Sequence, residues 1–293
     1  QELARKPSSI QSWVKSLERR GLSPGYIKHI VTTLSSIFTA AMDDGIVHRN
    51  PVRAKSVSPP AVSRQRVVPW TPEQIQAAGA ELGGRAEAMA YCGSGLGLRQ
   101  GEIFALAEED IDFLGRVVHV LRQVRIVAGV PVFKPPKYDK ERDVPLSPAM
   151  SLMLAAQIKE YPPVKVTLPW RLPTGRATPA RLLFVRPDGK VHHRQNFSYV
   201  WPRARKAAGV PATRENGMHV LRHTFASATL ADGVDIRTLA EWLGHADPGF
   251  TLRTYTHLMP SAADRGRAAI DKFFAEIIGE NPEQSALKVP SER

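Results

Sequence analysis

The sequence predicts a mainly α chain with a small antiparallel β-sheet, all-α at its N-terminus and α+β in the larger remainder. Three observations carry this. Apolar residues recur at helical spacing near the N-terminus and again over 218–243 and 262–279, whereas short alternating runs cluster between 116 and 146. Between the two parts lies "VRAKSVSPPAVSRQRVVP", residues 52–69, with two adjacent prolines, the cations Arg53, Lys55, Arg64 and Arg66, and no acid. That composition reads as an extended basic linker. At 293 residues there is room for one large domain and a smaller one. The expected boundaries are 1–51, the linker over 52–69, a main domain over 70–280 and a flexible tail over 281–293.

Each element has a local reason. Ser8 or Ser9 can cap a first helix whose stripe is Ile10, Trp13, Val14 and Leu17, and Gly21 ends it. Ser23 caps a second, with Pro24 at its first position and Ile27, Ile30, Val31, Leu34, Phe38 and Ala41 on one face, up to Gly45. Thr71, Pro72 and Gln74 restart helix with a capping box. A helix is expected around "GEIFALAEED", then strands in "RVVHVLRQVRIV", "VPVFK" and "RDVPL", and a helix over 147–160. The proline-rich "YPPVKVTLPWRLPTGRATPA" reads as an irregular surface insertion, "LLFVRPDGK" as a strand and turn, and 195–208 as a basic helix.

Charge narrows the partner. The chain has 40 Lys+Arg against 28 Asp+Glu, a net +12, which favours a polyanion: nucleic acid or an anionic membrane surface. No apolar run is long enough to span a membrane, no signal-peptide pattern opens the chain, and no basic amphipathic surface helix stands out. The single cysteine, Cys92, excludes an intramolecular disulfide.

The chemistry concentrates in "GMHVLRHTFAS", residues 217–227. His219 and His223 stand four apart, the spacing of a zinc-binding helix, but Val220 occupies the place of the glutamate base such a helix carries. A different pairing uses His219 with Arg222, three apart and so on one helix face, suited to holding a phosphate.

Three further pieces line up in order with this one: "GSGLGLRQGEIFAL" (93–106), a lysine before "ERDVPL", and "LGHADPGFTLRTYTHL" (243–258). Together they resemble the signature of the tyrosine recombinases, the phage-integrase family, over roughly residues 8–280. The resemblance implies strand cleavage and rejoining of double-stranded DNA at specific sites, with no metal or other cofactor. Arg99 and Arg222 match the family's phosphate-binding arginines, and Tyr255 its nucleophile, which becomes joined to a DNA 3′ phosphate. His219 and His245 match its two histidines, His219 assisting proton transfer from Tyr255 and His245 binding phosphate. Lys137 is the expected general acid, with Lys134 its rival. Glu102, three residues after Arg99, is placed to orient that guanidinium, while His223 and His257 are read as supporting residues.

Residue chemistry agrees with these assignments. A phosphodiester repels nucleophiles, and an arginine fork can clamp its two non-bridging oxygens while staying charged. A phenol of pKa about 10 must lose its proton as it attacks. A phosphotyrosyl bond conserves the energy of the broken one, and the chain has no G-x-x-x-x-G-K-[ST] nucleotide loop.

Further expectations follow from the family. DNA contacts are expected from the basic linker, from Lys28 and His29, and from Arg203, Arg205 and Lys206. The first helix resembles the third helix of the family's core-binding domain, so a partial domain and a fragment or short form are expected, with Gln1 in place of an initiating Met. Ile270, Phe273, Phe274, Ile277 and Ile278 form an apolar stripe that docks either on its own domain or on a neighbour within a tetramer on DNA, the free protein being a monomer. Directionality or DNA-bending accessory proteins and a bacterial cytoplasmic setting complete the expectation. The rival functions are a type IB topoisomerase-like enzyme and a catalytically idle DNA-binding regulator on the same fold.

Overall fold

The computed structural model describes residues 6–62, 67–256, 267 and 270–275. The expected tail, His257, Ile277, Ile278, Arg64 and Arg66 lie outside them. The chain divides into two compact units, Gln1–Gln65 and Arg66–Arg293.

In the first unit, helix α1 (Pro7–Arg19) packs on α2 (Pro24–Asp43) and on a 3-10 turn, Pro51–Arg53. Ile10, Val14, Leu17, Ile27, Val31 and Val52 form its core. Ser23 caps α2 by accepting from the Tyr26 N–H, as its sequence implies. The cap of α1 differs: Pro7 takes the first helical turn, so Ser8 and Ser9 lie inside the helix and Lys6 precedes it without a side-chain cap. The start of the basic stretch is not extended. Val52 and Val57 join the helical core, and the Ser58 N–H donates to Gln11 Oε1 at 2.8 Å. Apolar side chains at 52 and 57 outweigh the flanking charges.

The second unit begins with α3 (Pro72–Leu82), which carries the expected Thr71–Gln74 capping box, and α4 (Ala88–Leu96). Four residues of α5 (Gln100–Ile103) follow, where a longer helix was expected. A 3-10 turn, Glu108–Asp110, replaces the rest, because the Asp110 carboxylate accepts the Ala107 N–H at 2.9 Å and offers the backbone an alternative to helix. Strands β1 (Ile111–Asp112), β2 (Val117–Val120) and β5 (Arg142–Pro145) make an antiparallel sheet in the order β1-β2-β5. A separate hairpin pairs β3 (Gln123–Val127) with β4 (Val130–Lys134).

After α6 (Pro148–Glu160), the expected irregular insertion is instead a hairpin of β6 (Val164–Pro169) and β7 (Ala177–Leu182), paired over six positions. Val164, Val166 and Leu168 alternate with exposed residues, and Pro169 and Pro179 are tolerated because a two-stranded ribbon has two free edges. The "LLFVRPDGK" stretch carries no further regular strand; an isolated bridge between Val185 and Val191 closes its turn. The basic helix splits into α7 (Arg194–Phe197) and α8 (Trp201–Ala207), since Pro202 opens a helix and cannot continue one. Helices α9 (His219–Ala231), α10 (Ile236–Leu243) and α11 (Pro248–Tyr255) complete the core.

Trp70 anchors the entry to this unit. It stacks on Trp201 (centroids 5.6 Å apart, 10° between planes), donates from Nε1 to Asn216 Oδ1 at 3.0 Å, and is 4% exposed. Trp70→Ala is expected to lower stability by about 3–5 kcal/mol in chemical denaturation followed by far-UV circular dichroism.

Candidate active site

Helix α4 ends at Gly97 in the left-handed conformation (φ 62°). A Cβ there would fall 2.5 Å from the Phe225 ring, so both backbone and space require glycine. The turn delivers Arg99 as the N-cap of α5. Its backbone N–H donates to Glu102 Oε2 (2.8 Å), its Nη1 to Glu102 Oε1 (2.9 Å) and its Nη2 to the Gly244 carbonyl (3.2 Å).

Glu102 is only 2% exposed. Burial raises its pKa, but the charge and hydrogen bonds of Arg142, with the charges of Arg99 and Arg222, outweigh this and hold the carboxyl at about 2. Arg142 closes on it as a fork, Nη1 to Oε1 at 3.0 Å and Nη2 to Oε2 at 2.6 Å. The sequence reading missed Arg142. A signal was present: in β5 it shares the inward face with buried Val144, while Asp143 and Pro145 point outward.

Arg222, on the first turns of α9, is 1% exposed. Its Nη1 donates to the Gly97 carbonyl at 2.7 Å, and its Nη2 to the Leu243 carbonyl and to His245 Nε2, the latter at 3.2 Å. Burial, and then the neighbouring Arg99 charge, push its pKa well down from the usual arginine value. Arginine can only donate, so His245 Nε2 accepts. Its Nδ1 therefore carries the proton and donates to Thr251 Oγ1 at 2.7 Å. Burial and the Arg222 and Arg99 charges lower His245 to about 3, leaving it neutral.

Tyr255 ends α11 and is 1% exposed. Burial raises its phenol to about 12, against the opposing pull of Arg222 and Arg99. Its hydroxyl is hydrogen-bonded to His223 Nδ1 at 2.7 Å, donating when the neutral ring carries its proton on Nε2. The expected pairing was with His219. The expected partner lies one turn earlier on α9 and makes a T-shaped ring contact with His223, centroids 4.7 Å apart. Burial and Arg222 lower His223 to about 4, so its ring is neutral and can take a proton.

Arg99 and His219 line a cleft of roughly 930 Å³, shared with Arg125, Lys134, Lys137 and Arg194. Lys137 begins a strained turn in which Tyr138 (φ 67°) and Asp139 (φ 52°) are left-handed, and its Nζ lies 4.8 Å from the Tyr138 ring centroid. Both rival lysines thus face the same cleft. Arg203, Arg205 and Lys206 do not line it, and Arg203 is engaged by Glu81 at 2.8 Å. Arg125 and Arg194 do line it, cations that sequence reasoning passed over because lone arginines in a basic chain carry no signal. Lys28, Arg53 and Lys55 are exposed on the first unit.

The buried histidines set a pH dependence of stability. His192, His223 and His245 titrate at about 4, 4 and 3, each lowered chiefly by burial. Their contribution is complete above the unfolded value of about 6.5 and is lost as pH falls through about 4. Asp110, raised to about 6 by burial, opposes them, its contribution fading as pH rises through that value. His219, lowered to about 3 chiefly by burial, acts in the same direction as the other three. Four groups outweigh one, so thermal unfolding is expected at a lower temperature at about pH 5 than at about pH 7.

An α+β domain that gathers this guanidinium cluster beside a histidine-bonded tyrosine defines an enzyme of the tyrosine-recombinase class. The model of the phage integrase family matches residues 73–261, and the chain belongs to that family. A "Tyrosine recombinase XerC-like" protein of Caldanaerobacter subterraneus subsp. tengcongensis is 26% identical over 288 residues, spanning 92% of this chain and 71% of its own. "Tyrosine recombinase XerD" of Rickettsia bellii is 27% identical over 270 residues, 88% of this chain and 81% of that protein. Among solved structures, the Tn1549 transposon integrase in complex with a circular intermediate DNA aligns with TM-score 0.72 at 22% identity, covering 91% of this chain and 85% of that one. A lambda integrase dimer bound to a COC′ core site aligns at TM-score 0.56 and 17% identity, covering 85% and 64%. These structural likenesses show the fold. The protein is a tyrosine-type site-specific DNA recombinase. No helix among the described residues is long and apolar enough to cross a membrane.

Proposed function

We propose that this recombinase cuts and rejoins duplex DNA through a 3′-phosphotyrosyl intermediate on Tyr255, using neither metal nor ATP. The observation that carries the reading is the 2.7 Å hydrogen bond between the Tyr255 hydroxyl and neutral His223, with the Arg222 and Arg99 charges near enough to act on the phenol. Arg99 and Arg222 bind the non-bridging oxygens of the scissile phosphate, and His245 supports Arg222. Tyr255 Oη attacks phosphorus as His223 Nδ1 takes its proton, which a phenol at about 12 cannot shed unaided. The P–O5′ bond breaks, and Lys137, with Lys134 its alternative on the same cleft, gives the departing 5′ oxygen a proton. Rejoining reverses the steps with the 5′ hydroxyl of a second strand. Because Tyr255 is buried, its hydroxyl has to be uncovered before it meets DNA.

The relatives' names and the DNA in the structures of the fold's neighbours support a duplex DNA substrate; that paired core sites are held by a tetramer of this chain is part of the proposal. A nicked duplex carrying candidate core sites tests the reading, because loss of the short fragment beside the nick traps the adduct. A covalent complex that forms equally with and without EDTA is expected. Chelator sensitivity would restore a metal mechanism, and relaxation of supercoils without strand exchange between paired duplexes would favour the topoisomerase reading.

A further inference from the structure

The last turn of α10 accepts three arginines at once. The consecutive carbonyls of Trp242, Leu243 and Gly244 receive Arg142 Nε (2.6 Å), Arg222 Nη2 and Arg99 Nη2 (3.2 Å). These are carbonyls that a helix leaves without partners at its C-terminus, where its dipole is negative, so guanidinium groups are held there by both hydrogen bonding and charge. Arg222 and Arg99 are the proposed phosphate clamp. Arg142 does not line the cleft and is 8% exposed.

Arg142 nonetheless joins the two supports on which the clamp depends. Its fork takes both oxygens of Glu102, whose Oε1 also receives Arg99 Nη1 at 2.9 Å. Its Nε holds the Trp242 carbonyl, one residue before the carbonyl that holds Arg222. The chain leaves room for this arrangement: Gly244 is left-handed (φ 59°), and a Cβ there would lie 3.0 Å from Arg142 Cδ. Without Arg142, Arg99 would be the one guanidinium left hydrogen-bonded to the Glu102 carboxylate, drawing it and its charge away from a phosphate.

We propose that Arg142 is a positioning residue for strand cleavage: it neutralises Glu102 and pins the last turn of α10, so that Arg99 and Arg222 present their charge to the phosphate. The proposal rests on the function argued above, and the test separates the two. Wild type is first shown to form the covalent adduct on a nicked core-site duplex; its failure there would refute the function itself. Single-turnover cleavage and DNA affinity, by fluorescence anisotropy, are then measured for Arg142→Met, Arg142→Lys, Glu102→Gln and the double variant Glu102→Gln/Arg142→Met.

Arg142→Met is expected to slow cleavage about 100-fold, with affinity within about threefold of wild type, because a clamp displaced by an ångström still binds but no longer fits the transition state. Arg142→Lys restores part of the rate. The double variant is no slower than the slower single variant, as expected when two residues act through one contact. Cleavage by Arg142→Met within about threefold of wild type would overturn the proposal. Losses that multiply in the double variant, or that fall on affinity instead of rate, would do the same. Should Arg142→Met not fold, the double variant, which leaves no unpaired buried charge, carries the same rate criterion.

Discussion

Tyr255→Phe is expected to remove covalent DNA capture altogether, a loss of at least about 10⁴-fold, while DNA affinity stays within about twofold. The substitution deletes one oxygen and keeps the ring. Tyr255 is 1% exposed and its hydroxyl bonds His223, so the variant keeps its packing and leaves one histidine nitrogen without its donor. That costs about 1–3 kcal/mol of stability, too little to unfold a domain of this size. Loss of the adduct with retained binding and a preserved circular dichroism spectrum is the signature. A phenylalanine variant that still captures DNA would place the nucleophile elsewhere.

Arg222→Lys is expected to lower cleavage about 10³-fold even though the charge is kept. The guanidinium makes three contacts within the protein, to the Gly97 and Leu243 carbonyls and to His245 Nε2. An ammonium has three donors around one point and cannot span carbonyls from two separate segments while also binding a phosphate. Whichever carbonyl it abandons is left buried and unpaired, so stability should fall by about 1–3 kcal/mol as well. Single-turnover cleavage at saturating DNA isolates the chemical loss from any change in binding. A variant within about tenfold of wild type would remove Arg222 from the clamp.

Much of this was legible in the residues. The α2 cap at Ser23, the Thr71–Gln74 capping box and the strands at 117–145 depend on local chemistry, and local chemistry is what a sequence prints. The β6–β7 hairpin was not legible because its prolines argue against a strand unless one knows that they sit on free edges. For the site, the spacing of Arg99 and Glu102 foretold their hydrogen bond, since both lie within one helical turn. Which histidine meets Tyr255 depends on how α11 lies against α9, and His219 and His223 differ by one turn of the same helix. Arg142 was hidden for a related reason: its partners stand 40 and 100 residues away in sequence, and only the packing of β5 against α10 and α5 brings them together.

Mapping the bond itself tests the central claim most directly. The trapped complex on a nicked core-site duplex is digested with protease and nuclease, and the nucleotide-bearing peptide is sequenced by mass spectrometry. The account predicts a single modified residue, Tyr255, bearing a 3′-linked nucleotide, with a free 5′ hydroxyl on the released strand. A nucleotide on any other side chain, or one attached through its 5′ phosphate, would contradict it.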